Sequence, residues 1–131
     1  MANMRFINPA NIHAPRGYTH VVEATGPGRI VYIAGQLGVD PAGKMGADFR
    51  GQAVQAFENL KAALAAVGGK FEQVAKVNMY FTDIDTQLPI AREVRDSYVN
   101  TAAAPASTAV QISKLARDGA LFEIEAVAFL S

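Results

Sequence analysis

One run near the C-terminus constrains the fold more than any other part of the chain. Leu121, Phe122, Ile124, Ala126, Val127, Ala128, Phe129 and Leu130 make residues 121–130 apolar, and Glu123 and Glu125 are set into that run. Side chains alternate faces along a strand, so the two carboxylates point the same way while apolar groups occupy both faces. Such a strand needs cover on both sides. A carboxylate there is costly unless it is paired, hydrated in a cleft or protonated. Two readings follow: an ion pair with a Lys or Arg on a neighbouring strand, or a general base that orients a water. Pro105-Ala106-Ser107-Thr108 opens a preceding strand, joined to the last one by a polar turn at Ala116-Arg117-Asp118-Gly119.

The rest of the chain supplies more strands and two helices. Arg5-Phe6-Ile7 is a short strand closed by Asn8-Pro9, and residues 11–17 read as loop. Residues 18–25 and 29–37 are β-rich, with Gly26-Pro27-Gly28 read as a hairpin turn between them. Phe49, Ala53, Phe57, Leu60, Leu64 and Val67 recur at helical spacing, with Asp48 at the start, Gly68-Gly69 at the stop, and Arg50, Gln52, Gln55 and Lys61 on the opposite face. Residues 74–81 alternate as a half-buried strand, with Val74, Lys76, Asn78 and Tyr80 on one face. Asp83 or Asp85-Thr86 then caps a second helix carrying Pro89 in its first turn and an apolar face of Leu88, Ala91, Val94 and Tyr98. Regular βα alternation is absent, which excludes a doubly wound fold. The pattern predicts a single α+β domain, residues 1–131, with one mixed sheet, two helices on one of its faces, and other subunits on the second face.

Composition narrows the function. Half of the 131 residues are hydrophobic and 18% are charged, which is apolar for a small monomer and points to surface buried between subunits. Net charge is zero, from twelve basic and twelve acidic residues, and neither sign clusters along the sequence, so no nucleic-acid footprint is expected. There is no cysteine, which rules out disulfides, thiolate metal sites and a Cys nucleophile. His13 and His20 lack metal-ligand spacing and read as ordinary loop or strand histidines. Ser107 and Thr108 lack a nucleophile elbow. The segment Met1-Ala2-Asn3-Met4-Arg5-Phe6 has no long apolar core, and no apolar run reaches membrane-spanning length. The expectation is a cytoplasmic protein without metal, cofactor, nucleic-acid or membrane partner.

Taken in order, Ile7-Asn8-Pro9, Gly17-Tyr18-Thr19, Val31-Tyr32-Ile33-Ala34-Gly35-Gln36, the Gln52…Asn59-Leu60 helix, Val77-Asn78-Met79-Tyr80-Phe81-Thr82-Asp83, Pro105-Ala106 and Glu123-Ile124-Glu125-Ala126-Val127-Ala128 resemble the YjgF/RidA (Rid, L-PSP) family. The resemblance implies a chorismate-mutase-like α+β fold and a homotrimer with ligand clefts between subunits. It implies hydrolysis of imines or enamines to keto compounds and ammonia, with Glu123 handling water or proton transfer and Tyr18 and Gly35 lining the cleft. The family's carboxylate-binding arginine follows the Pro-Ala pair, and here that position is Ser107. A serine hydroxyl offers one neutral hydrogen bond in place of a charged planar fork. The implied substrate is therefore an imine, enamine or amino-substituted unsaturated acid other than the usual free α-imino acids. The alternative is a non-catalytic trimer that binds or senses a small metabolite. Arg92 stands where it could supply a replacement cation or could be a solvated helix residue.

Overall fold

The computed structural model describes residues 3–131. Six strands and two helices follow in the order β1 (Asn3–Ile7), β2 (Val21–Thr25), β3 (Arg29–Leu37), α1 (Phe49–Ala66), β4 (Val74–Phe81), α2 (Ile84–Asp96), β5 (Ala106–Gln111) and β6 (Phe122–Leu130). The α+β class and the two-helix layer agree with expectation, whereas the strands form two sheets rather than one. β3, β6, β4 and β5 make a four-stranded sheet in that spatial order, and β1 and β2 pair as a separate antiparallel ribbon.

The hairpin expected at Gly26-Pro27-Gly28 does not form, because β2 pairs with β1 and β3 pairs with β6. β2 has no buried face to lay on a core, while β3 carries Val31 and Ile33 inward and finds a nine-residue apolar partner in β6. β2 also starts at Val21 rather than at residue 18. Thr19 is held away from the ribbon by two bonds, its N–H to the Pro105 carbonyl at 3.2 Å and its hydroxyl to the Ala104 carbonyl.

β5 and β6 are consecutive but not adjacent. β4 lies between them, parallel to β5 and antiparallel to β6, so α2 is the crossover of a β-α-β unit. The segment between β5 and β6 is fastened at both ends, by Ile112 N–H to Phe81 O at 2.8 Å and Thr82 N–H to Leu121 O at 3.3 Å. A bulge at Ala75 moves Val74 onto the core face, opposite to the strict alternation expected for this strand.

α1 begins at Asp48, whose carboxylate accepts from Gly51 N–H at 2.8 Å. Its Phe57, Leu60 and Leu64 are buried against β6 and β3. The face expected to be solvated is not uniformly so, because Gln52 is buried. Its carboxamide donates to Gly46 O and Gly119 O at 3.1 and 3.0 Å and accepts from Leu121 N–H at 2.8 Å. That saturated amide ties two loops to the entry of β6. Asp83 stands at the N-cap position of α2 without a capping bond to the backbone, its carboxylate accepting instead from the Thr86 hydroxyl at 2.8 Å, and Pro89 falls in the second turn rather than the first. Tyr98 lies past the helix end and stacks on Phe57 at 5.2 Å between ring centroids.

Phe122 is the hub of the core. It is fully buried and packs on Phe81 at 5.3 Å, Phe49 at 5.7 Å and Phe57 at 6.2 Å. Every even-numbered residue of β6 is buried with it, and every odd-numbered one is half-buried on the opposite face. That opposite face has no helix over it. Tyr32 is 78% exposed there and Ile30 59%, level with Val127 and Phe129 in the register. Phe122→Ala is expected to lower the unfolding free energy by about 3–5 kcal/mol, measured by urea denaturation.

Candidate functional site

Glu123 and Glu125 project from the helix-free face of β6. Neither forms an ion pair among the described residues, so the Lys or Arg partner open to them in sequence is not found. Glu125, opposite Asn78 in the register, instead accepts a hydrogen bond from the diagonal neighbour Tyr80 Oη on β4. That bond, with burial and the two carboxylates nearby, raises the Tyr80 pKa above 10.0. The phenol therefore stays protonated and remains a donor to Glu125.

Glu123 has no such donor. Burial and the Glu125 charge raise its pKa above the ordinary 4.5, burial being the larger cause. Its side chain lies over Gly35. A bulge at Ala34-Gly35 interrupts the pairing of β3 with β6, and a Cβ on Gly35 would collide with the Glu123 carboxylate. The bare backbone at residue 35 is what lets the carboxyl cross β3. A half-dehydrated carboxylate beside an uncovered backbone is suited to holding a water and exchanging a proton with it.

Tyr18 and Ser107 form a second group. The Thr19 bonds to Ala104 and Pro105 place Tyr18 beside the start of β5. The Tyr18 hydroxyl lies 3.2 Å from His13 Nε2, and the His20 ring sits edge-on to both rings. His13, read in sequence as an ordinary loop residue, thus positions the tyrosine. Tyr18 and Ser107 line a hollow of about 210 Å³ with Arg16, Met79, Leu88, Arg92, Arg95 and Ala109.

Arg95 is the residue that sequence reasoning passed over. It is 7% exposed, and its Nε and Nη2 both reach Asp96 Oδ1 at 3.0 Å. The guanidinium lies against Gly17, where a Cβ would displace it and where φ is +78°, a backbone conformation that favours glycine. The signal was present in the periodicity: Leu88, Ala91 and Arg95 share one helix face, at i, i+3 and i+7.

The two groups do not meet within one chain. Cross-strand neighbours share a face, and Ser107 pairs with Val77, which pairs with Ala126, all on the helix side. Glu123 pairs with Tyr80 on the other side. Ser107 and Glu123 therefore lie on opposite faces of the sheet within one subunit, because Ala126, the residue level with Ser107, is an odd number of positions from Glu123. Among the described residues no cluster of three or more His, Asp or Glu could hold a metal, and no helix is long and apolar enough to cross a membrane.

The family profile described as Endoribonuclease L-PSP matches residues 10–130. A RutC family protein of Aquifex aeolicus is 33% identical over 127 residues, covering 95% of this chain and 98% of the relative. A 2-iminobutanoate/2-iminopropanoate deaminase of Salmonella typhimurium is 30% identical over 121 residues, covering 91% and 94%. The crystal structure of a Rid-family protein of unknown function from Yersinia pestis, YyfB, superposes with a TM-score of 0.84 at 29% identity, over 98% of this chain and 99% of that one. The chain belongs to the L-PSP family, the group also known as YjgF, RidA or RutC.

Proposed function

We propose that the protein hydrolyses a small imine or enamine in sites shared between copies of the chain, arranged as a homotrimer. The observation that carries this reading is Glu123, desolvated, without a cation and laid over the bare backbone of Gly35. Supporting it are the exposed Ile30 and Tyr32 on the same face, which are apolar surface for another subunit to cover, and the relative named as an iminobutanoate deaminase.

In the first step Glu123 accepts a proton from a bound water as the water oxygen bonds to the C=N carbon. The C=N π electrons pass to nitrogen, which takes up the proton that Glu123 accepted, giving a carbinolamine and restoring the carboxylate. In the second step the carbinolamine hydroxyl passes its proton by way of the Glu123 carboxylate to the amino nitrogen, the C–N bond breaks with its electron pair going to that nitrogen, the carbonyl forms and ammonia leaves. The reaction consumes one water and needs no metal or cofactor. Tyr18 and Ser107, contributed by the neighbouring copy, bind the substrate end distant from the water. Positioning one water against an electrophile that already hydrolyses in solution is within reach of a single carboxylate. The serine after Pro105-Ala106 also favours a second reading, a binding or sensing trimer, which releases its ligand unchanged.

Imines generated in situ by an amino-acid oxidase test the catalytic reading. Glu123→Gln is expected to reduce kcat/KM about a hundredfold, and a wild type that does not accelerate hydrolysis of any imine tested would leave the sensing reading. A second expectation concerns stability. Because the Glu123 pKa is raised on folding, the folded state favours its protonated form, and that contribution is lost as pH rises through the folded value. Glu123→Gln should therefore raise Tm near pH 7, with the gain vanishing below the ordinary 4.5. A gain that persisted or grew at pH 3.5 would contradict the assigned direction.

A further inference from the structure

The hollow between α2 and β5 holds more positive charge than the reaction above uses. Arg16, Arg92 and Arg95 border it, and no carboxylate does. The other arginines each have a partner: Arg5 with Glu23, Arg50 with Glu93, Arg29 with Val67 O and Arg117 with Gly43 O. Among the described residues, Arg16 and Arg92 form neither a hydrogen bond nor an ion pair. Arg95 is buried and shares one oxygen of Asp96 between two of its nitrogens. One carboxylate therefore stands against three guanidiniums, a net charge of about +2 at a concave surface. Like charges gathered around one depression repel one another, and a buried guanidinium is costly unless fully paired. An anion entering the hollow relieves both costs.

We propose that this hollow is a carboxylate pocket in which α2 and the loop before Tyr18 supply the cations that β5 lacks at Ser107. The inference rests on the shared-site reading above and names its substrate class. Ser107 is small and neutral, so a ligand carboxylate is drawn across the hollow toward the helix instead of being held at the strand. Two net charges and a volume of about 210 Å³ suit a small compound with two carboxylates, an imine or keto acid of the dicarboxylate class, better than a short monocarboxylate. Planar guanidinium forks are matched to carboxylate geometry.

Calorimetric titration of the assembled protein with 2-oxoglutarate (two carboxylates) and 2-oxobutanoate (one) tests this. Binding of 2-oxoglutarate is expected to be about tenfold tighter or more, and to weaken as salt is raised. Arg16→Gln and Arg92→Gln, both away from the core, should each weaken 2-oxoglutarate about tenfold and 2-oxobutanoate less. Arg95→Gln should weaken both ligands, with circular dichroism confirming the fold, and Arg50→Gln should change neither. Equal affinity for the two compounds, failure of 2-oxoglutarate to bind, or indifference to Arg16→Gln and Arg92→Gln would overturn the pocket. Displacement of 2-oxoglutarate by a short single-stranded RNA would also overturn it, assigning the arginines to phosphates. Arginine-dependent binding without hydrolysis of any imine would refute the deaminase reading and leave the pocket standing. Imine hydrolysis with arginine-independent binding would do the reverse.

Discussion

The strict alternation of β6 is the constraint on which the rest of the molecule depends. Phe122, Ile124, Ala126, Ala128 and Leu130 are all buried under the helices, and Phe122 alone joins three other phenylalanines. With that face committed to the core, Glu123 and Glu125 have only the helix-free face available, since a one-residue slip would drive both carboxylates into the phenylalanine cluster. The Gln52 carboxamide pins the entry to β6 through Leu121 and so defends the register from one end. The core packing and the placement of the candidate catalytic carboxylate are consequences of the same pairing.

The two carboxylates then diverge through their neighbours. Glu125 has Tyr80 as a fixed donor, which makes it a structural acceptor. Glu123 has the cleared backbone of Gly35 and a pKa raised by burial and by Glu125. Different neighbours thus divide the roles of two identical side chains on one strand. On the opposite side of the sheet, Thr19, Gly17 and α2 bring Tyr18, Ser107 and three arginines around one hollow. Neither group holds both a water-activating residue and a substrate-binding surface, which is why the proposed chemistry needs two copies of the chain.

Periodicity in the sequence was sufficient for α1, α2, β6 and the part of β4 beyond its bulge at Ala75, because each has one face committed to the core and the spacing of its apolar residues records that face. It failed where long-range pairing decides. The Gly26-Pro27-Gly28 turn is consistent with a hairpin locally, yet β3 is captured by β6 from nearly a hundred residues away. Glu123 could be singled out because a family resemblance chose between the two charges in an apolar strand, whereas Gly35 entered through the resemblance alone. Arg95 could not be ranked, because a cation on an apolar helix face gains meaning only once Gly17 and Ser107 are folded against it. Charge that looks scattered along the chain becomes a cluster in space for the same reason.

Complementation between two disabled chains tests the shared site most directly. Glu123→Gln removes the proposed water-activating group from one side of the sheet, and Ser107→Trp fills the hollow on the other. Each variant alone should be nearly inactive on an imine that the wild type hydrolyses. Unfolding and refolding the two together in equal amounts should restore about a quarter of wild-type activity, since in a cyclic trimer that fraction of interfaces pairs two intact halves. Mixed oligomers that formed but recovered no activity would contradict a site built from two chains.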